Sequence, residues 1–271
     1  MEKKIMTKIT LAAIAACMMT VSAGGIKSKA ADLAASEPPV EAAVAETPWS
    51  GELAIYGLLP WLDGDAGVND LGPVSFSLTP SEIINALDFT IQASGEINYE
   101  RFGLFADLIY FKISGSEASQ LGPLVVDANL SVAMTAGTLA GSYAFYEDET
   151  ATIKALAGAR YWAVDTNFNL AIAPIGGVSA SKVIQWWDPV IGLKAKKQLT
   201  EKVFITATGF IGGFGAGSDF MWDVFGGIGY EFNDHVAIAA GYRGLGADYS
   251  DRGDLVDLTA QGPLIGVGFK F

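Results

Sequence analysis

Cysteine and histidine are almost missing from this sequence of 271 residues, which holds one of each, Cys17 and His235. A single cysteine excludes an intramolecular disulfide. A His-based triad or an Asp–His site would need its histidine on an active face beside acidic partners. His235 instead sits in the polar run Phe232-Asn233-Asp234-His235 and reads as a solvated turn residue. Basic residues are also scarce, 17 Lys and Arg against 30 Asp and Glu, for a net charge of −13. That balance argues against nucleic acid, whose phosphates require a basic footprint. Beyond the N-terminus no apolar run approaches the roughly 20 residues of a membrane helix, although 51% of the chain is hydrophobic. The apolar residues must therefore be spread thinly, and alternation along strands spreads them so.

The N-terminus reads as a signal peptide over residues 1–30. Lys3, Lys4 and Lys8 precede the uncharged apolar stretch Ile9–Ala23, and small residues follow at cleavage spacing. Cutting after Ala23 or after Ala30 fits equally. A retained signal anchor is the bland alternative, and Ile14-Ala15-Ala16-Cys17 resembles a lipoprotein box that would lipidate Cys17. Removing residues 1–30 takes away five lysines and one glutamate, so the remaining chain carries 12 basic and 29 acidic residues, a net charge of −17. Residues 31–48 are rich in Ala, Glu and Pro and read as a flexible periplasmic segment.

From Trp49 to Phe271 the pattern has period two. In residues 88–98, Phe89, Ile91, Ala93 and Ile97 share one face, and Thr90, Gln92, Ser94, Glu96 and Asn98 the other. Residues 152–162 and 219–232 repeat the alternation. The expected fold is all-β: a closed antiparallel transmembrane barrel of about ten strands, with eight to twelve admitted. The strands are placed near 51–59, 88–98, 101–114, 124–146, 151–168, 187–199, 202–214, 219–232, 235–249 and 255–271. Short polar turns alternate with longer connections at about 60–87, 115–123, 169–186, 214–219 and 250–255, as in outer-membrane barrels, which have short periplasmic turns. Residues 81–87 suit a turn or two of helix folding over or into the mouth. Tyr110, Tyr161, Trp186, Trp187, Trp222, Tyr230, Phe232, Tyr242 and Phe271 suit interfacial girdles.

The end Ile265-Gly266-Val267-Gly268-Phe269-Lys270-Phe271 resembles the C-terminal signal read by the barrel-assembly machinery. The stretches Gly158-Ala159-Arg160-Tyr161-Trp162, Asp188-Pro189-Val190-Ile191-Gly192, Gly212–Asp219, Gly241-Tyr242-Arg243 and Gly262–Gly266 carry a likeness over the whole barrel. The chain resembles the small outer-membrane β-barrel proteins of Gram-negative bacteria, in a poorly characterised group of them. The resemblance implies fold and outer-membrane location, and brings no activity. The expected partners are outer-membrane lipid, lipopolysaccharide and the barrel-assembly machinery, for a monomer.

By strand phase, Glu96, Asp107, Lys154, Arg160, Lys194, Lys196, Asp223, Glu231 and Arg243 face the lumen. Small barrels fill their interiors with side chains, and unpaired charges out of water are costly. These charges are therefore expected to bridge one another and plug the barrel. The alternative is a narrow channel with a charged constriction. The Gly212–Gly217 run lacks the Lys-Ser/Thr of a phosphate loop and reads as a turn. Asp248, Asp251, Asp254 and Asp257, like Asp63, Asp65 and Asp70, do not match an EF-hand and read as solvated loop acids. No catalytic, cofactor or metal residue is assigned. The expected role is structural or surface-interacting, with a channel next and a surface lipid- or peptide-modifying enzyme last.

Overall fold

The computed structural model describes residues 48–67, 73–121 and 124–271. The predicted signal peptide with Cys17, nearly all of the segment 31–48, and Asp70 lie outside the described residues. Twelve strands and one helix follow in chain order: β1 (Trp49–Leu58), β2 (Trp61–Gly67), β3 (Val74–Leu78), α1 (Pro80–Ala86), β4 (Leu87–Tyr99), β5 (Phe102–Leu121), β6 (Leu124–Glu147), β7 (Ala151–Ala173), β8 (Gly176–Gln198), β9 (Val203–Gly213), β10 (Phe220–Glu231), β11 (Val236–Asp251) and β12 (Asp254–Lys270). β1 and β4 to β12 pair in sequence order, and β1 pairs β12 to close a ten-stave antiparallel barrel. Closure leaves no edge to satisfy in lipid.

Alternation sets the two faces. Leu53, Ile55, Ile91, Ile97, Leu139, Ile191 and Ile228 stand outward and exposed, forming the apolar belt of a membrane-spanning barrel. Their sequence neighbours turn inward. Of the expected girdle residues Trp187, Tyr230, Phe232, Tyr242 and Phe271 are exposed, but Trp186 is a correction: it is buried in the lumen. Its neighbour Trp187 takes the outward position, and alternation sends Trp186 the other way.

The long connection expected at 60–87 is not a loop. β2 continues the line of β1 after a break at Leu59-Pro60. Below the break Leu58 faces Leu264 on β12, and above it Trp61 faces Gln261. Pro60 has no N–H for the ladder. The chain passes so near Gly262 that any Cβ there would strike the Leu59 carbonyl. β3 folds back on β2, and α1 fills the wall between β3 and β4 with Ile83 buried. Its start is a capping box: Thr79 and Glu82 each accept the other's backbone N–H, with Pro80 in the first turn. The connections expected at 115–123 and 169–186 are also mostly strand. β5 pairs β6 as far as Leu121 with Leu124, and β7 pairs β8 as far as Ile172 with Gly176. β4 leaves β5 at Ile113, and β9 joins β8 only from Val190. The outer parts of β5 to β8 thus rise from the rim as a four-stranded paddle.

Short turns at 99–101, 148–150, 199–202 and 232–235 mark the opposite, periplasmic end. In the β6–β7 turn the Asp148 carboxylate accepts bonds from the Tyr146 hydroxyl at 2.5 Å, Thr150 N at 2.8 Å, Ala151 N at 2.8 Å and Thr150 Oγ1 at 3.1 Å. These donors, the Tyr146 hydroxyl foremost, hold its carboxyl well below the usual carboxylate range. A depressed folded-state pKa gives stability that is present above the unfolded value, about 3.9, and is lost as pH falls through the folded one. The stability gap between wild type and Asp148→Asn should therefore be flat at neutral pH and begin to close below about pH 4. Urea unfolding across that range checks this; a gap that widens in acid contradicts the turn's geometry.

Candidate functional site

The lumen is built in layers by inward side chains from strands on all sides. At its centre Arg160 on β7 reaches Asp223 on β10, Nη2 to Oδ2, at 2.6 Å. Arg243 on β11 grips the same carboxylate from Nε at 3.0 Å and from Nη2 at 2.7 Å. Its Nη2 also meets Asp107 Oδ1 on β5 at 2.7 Å. Its Nη1 donates to Tyr56 on β1 at 2.7 Å, and the Tyr56 hydroxyl donates to Asp107 at 2.7 Å. Thr138 accepts from Arg160 Nε at 2.7 Å. Two arginines meet two aspartates, so the layer is electrically balanced, and all four are buried. The guanidinium fork suits this double carboxylate clamp, which a point-charge lysine would not form.

Nearer the periplasm lies a second layer. Glu96 accepts Lys154 at 2.8 Å and Lys194 at 2.7 Å, with Ser142 also donating. Glu231 accepts Lys196 at 3.0 Å and also Lys270. Toward the outer mouth the filling turns apolar. Trp186 stacks on Tyr249 at 4.3 Å between ring centroids and on Trp162 at 5.9 Å. Met134, Ile109, Leu245 and Met221 pack with them. Beside this stack Asp188 is fully buried without a cation within ion-pair distance among the described residues. It is satisfied instead by Ser218 N at 2.6 Å, Ser218 Oγ at 2.8 Å and Trp186 Nε1 at 3.3 Å, which pins the β9–β10 turn to β8. Higher still, Lys182 on β8 crosses the mouth to Asp254 on β12 at 3.0 Å.

The nine residues assigned to the lumen by strand phase fall into the two polar layers, Asp107, Arg160, Asp223 and Arg243 in the central one and Glu96, Lys154, Lys194, Lys196 and Glu231 in the one nearer the periplasm. Sequence phase did not single out Tyr56, Thr138, Lys270, Asp188 or the aromatic layer. The signal for Lys270 lay in its place between Phe269 and Phe271, which both belong outside. Among the described residues no group of His, Cys, Asp and Glu is arranged to hold a metal ion. His235 is exposed in the periplasmic β10–β11 turn, its Nδ1 3.1 Å from the Lys270 carbonyl, at the far end from the outer loops.

No family model matches this chain, and no curated protein does. Among solved structures it is similar to the outer membrane protease OmpT from Escherichia coli, with a TM-score of 0.53 at 12% identity over 83% of this chain and 98% of that one. The translocator domain of autotransporter NalP from Neisseria meningitidis scores 0.40 at 14% identity over 83% and 89% of the two chains. Ail, the attachment invasion locus protein of Yersinia pestis, scores 0.36 at 13% over 82% and 98%. At such identities the likeness shows the fold alone. The closed barrel, its outward apolar belt and the fold shared with OmpT are those of an outer-membrane β-barrel.

Proposed function

We propose that this protein is a plugged, non-conducting outer-membrane barrel whose role is structural and surface-interacting. The central Arg160–Asp223–Arg243–Asp107 ladder carries the reading. It ties β7, β10, β11, β5 and, through Tyr56, β1 across the lumen. An ion would have to break several buried charge-assisted bonds to pass it and then displace the aromatic stack above.

The paddle supports the surface role. Within the membrane span the barrel is apolar outside. On the paddle the polarity inverts. Ser114, Ser131, Asn167 and Ser181 form one cross-strand row outside, and Ser116, Asn129, Asn169 and Ser179 the next. Leu130, Phe168 and Ala180 form a row on the other face. An outward face of hydroxyls and amides is suited to water and to polar surface partners, not to lipid tails. The position of His235 in a periplasmic turn favours the non-enzymatic reading over a surface hydrolase, and a surface hydrolytic activity lost in His235→Ala would count against it.

Planar-bilayer recording tests the plug. Purified, refolded protein should insert and give no regular single-channel steps. Steady steps whose size shifts in Arg160→Ala would show that ions pass the ladder and would replace the plug with a channel.

A further inference from the structure

The two polar layers differ in how far water reaches them. The side chains of Arg160, Asp223, Arg243 and Asp107 are at most 8% exposed. Those of Lys154, Lys194, Lys270 and Lys196 are 16%, 20%, 27% and 30% exposed. The lysines therefore stand in a vestibule open to the periplasm and closed above by the ladder. A cavity of about 140 Å³ occupies it, bounded by Phe105, Phe204, Ala237, Ala239, Lys194 and Lys196, with the ladder residues as its roof. Its walls are mostly apolar, and an apolar cavity of about 150 Å³ has room for a benzene ring.

Charge fixes the other half of the ligand's chemistry. Four lysines face Glu96 and Glu231, two on each. Glu52 lines the same cavity and sits opposite Lys270 in the strand register. Four positive groups against three negative leave one surplus positive charge. Each ammonium has three donors. Lys194 and Lys196 each give one to a glutamate, so both keep donors for a further acceptor. Lys196 also lies 4.3 Å over the Phe204 ring and Lys194 5.5 Å over Phe105, so the ammonium groups border the apolar walls directly.

We propose that the vestibule is a binding site for a small organic monoanion with an apolar body, a compact carboxylate of the benzoate type, taken up from the periplasmic side. Its carboxylate meets Lys194 and Lys196, and its apolar body lies between Phe105, Phe204 and Ala239. Because the ladder closes the vestibule above, the site holds its ligand and does not pass it on. The proposal rests on the plug only for that last point.

The test is titration of the full barrel, in a non-ionic detergent, with benzoate and with the neutral benzyl alcohol, followed by calorimetry and ligand-observed NMR. Benzoate should bind saturably at one site, and benzyl alcohol about tenfold or more weakly, as expected for loss of a charged hydrogen bond. Lys196→Met keeps the apolar stem but removes the surplus charge, and should weaken benzoate by a similar factor. Ala239→Phe fills the cavity without touching any charge and should abolish binding while the heat-modifiable gel shift persists. No saturable benzoate binding to wild type, equal binding of the alcohol, or unchanged affinity in both variants would each overturn the site. Saturable binding together with bilayer conductance would sink the plug and leave the site standing.

Discussion

Asp223→Ala is expected to cost the barrel more stability than any substitution on its outer face. Among the described residues Asp223 is the one carboxylate gripped by both central arginines. Without it, among the described residues, Arg160 keeps Thr138 alone as a side-chain hydrogen-bond partner, and Arg243 keeps Asp107 and Tyr56. Removing one partner of a buried ion pair costs about 3–5 kcal/mol, because the remaining charge stays buried and uncompensated. Here two cations share the loss, so the upper part of that range is expected. Asp223→Asn keeps the shape but not the charge and should fall between. The outward Val224→Ala supplies the control, since Val224 is exposed on the lipid face. Urea unfolding in micelles, with the heat-modifiable gel band as an independent readout, gives the ranking. In the double variant Arg160→Met/Asp223→Ala the loss should be smaller than the sum of the two single losses, since both singles break the same bond. An Asp223→Ala barrel within about 1 kcal/mol of wild type, the level of an exposed pair, would mean that water reaches the ladder and that the lumen is not plugged there.

The ladder was legible because strand phase is rigid. Asp107 lies between Ala106 and Leu108, and Asp223 between Trp222 and Val224. Once the apolar neighbours are assigned to lipid, the acids have only the lumen. The same logic would have separated Trp186 from Trp187: adjacent residues of a strand cannot both join one girdle. The paddle was hidden for a different reason. Above the bilayer no solvent forces the outer face to be apolar, so the lipid-face pattern that marks residues 88–98 disappears at 114–121 and 176–183, where Ser, Gly and Ala dominate. β2 and β3 were hidden by composition. Asp63, Gly64 and Asp65 disfavour strand, and what holds them extended is pairing with the outer half of β12, nearly 200 residues away. Layer membership was also beyond reach. Phase and strand direction put Trp162 above Arg160 on β7, but only the stagger of all ten staves brings Asp107, Asp223 and Arg243 level with Arg160.

That order makes a last substitution decisive for how the lumen is closed. Trp186→Ala removes the middle ring of the Trp162–Trp186–Tyr249 stack and the donor that serves Ser218 at 2.8 Å and Asp188 at 3.3 Å. Truncating a buried tryptophan to alanine costs about 3–5 kcal/mol, and the loss of one of three donors to a fully buried carboxylate adds to it. A large fall in the urea midpoint is therefore expected, with loss of near-UV circular dichroism from the stacked rings. Conductance should nonetheless stay absent, because the ladder one layer nearer the periplasm depends on none of these contacts. If Trp186→Ala barrels remain folded and conduct, the aromatic layer alone was the seal, and the Arg–Asp layer is a constriction wide enough for ions. If they are as stable as wild type, the stack does not fill the mouth. If they are destabilised and silent, two independent layers close the lumen.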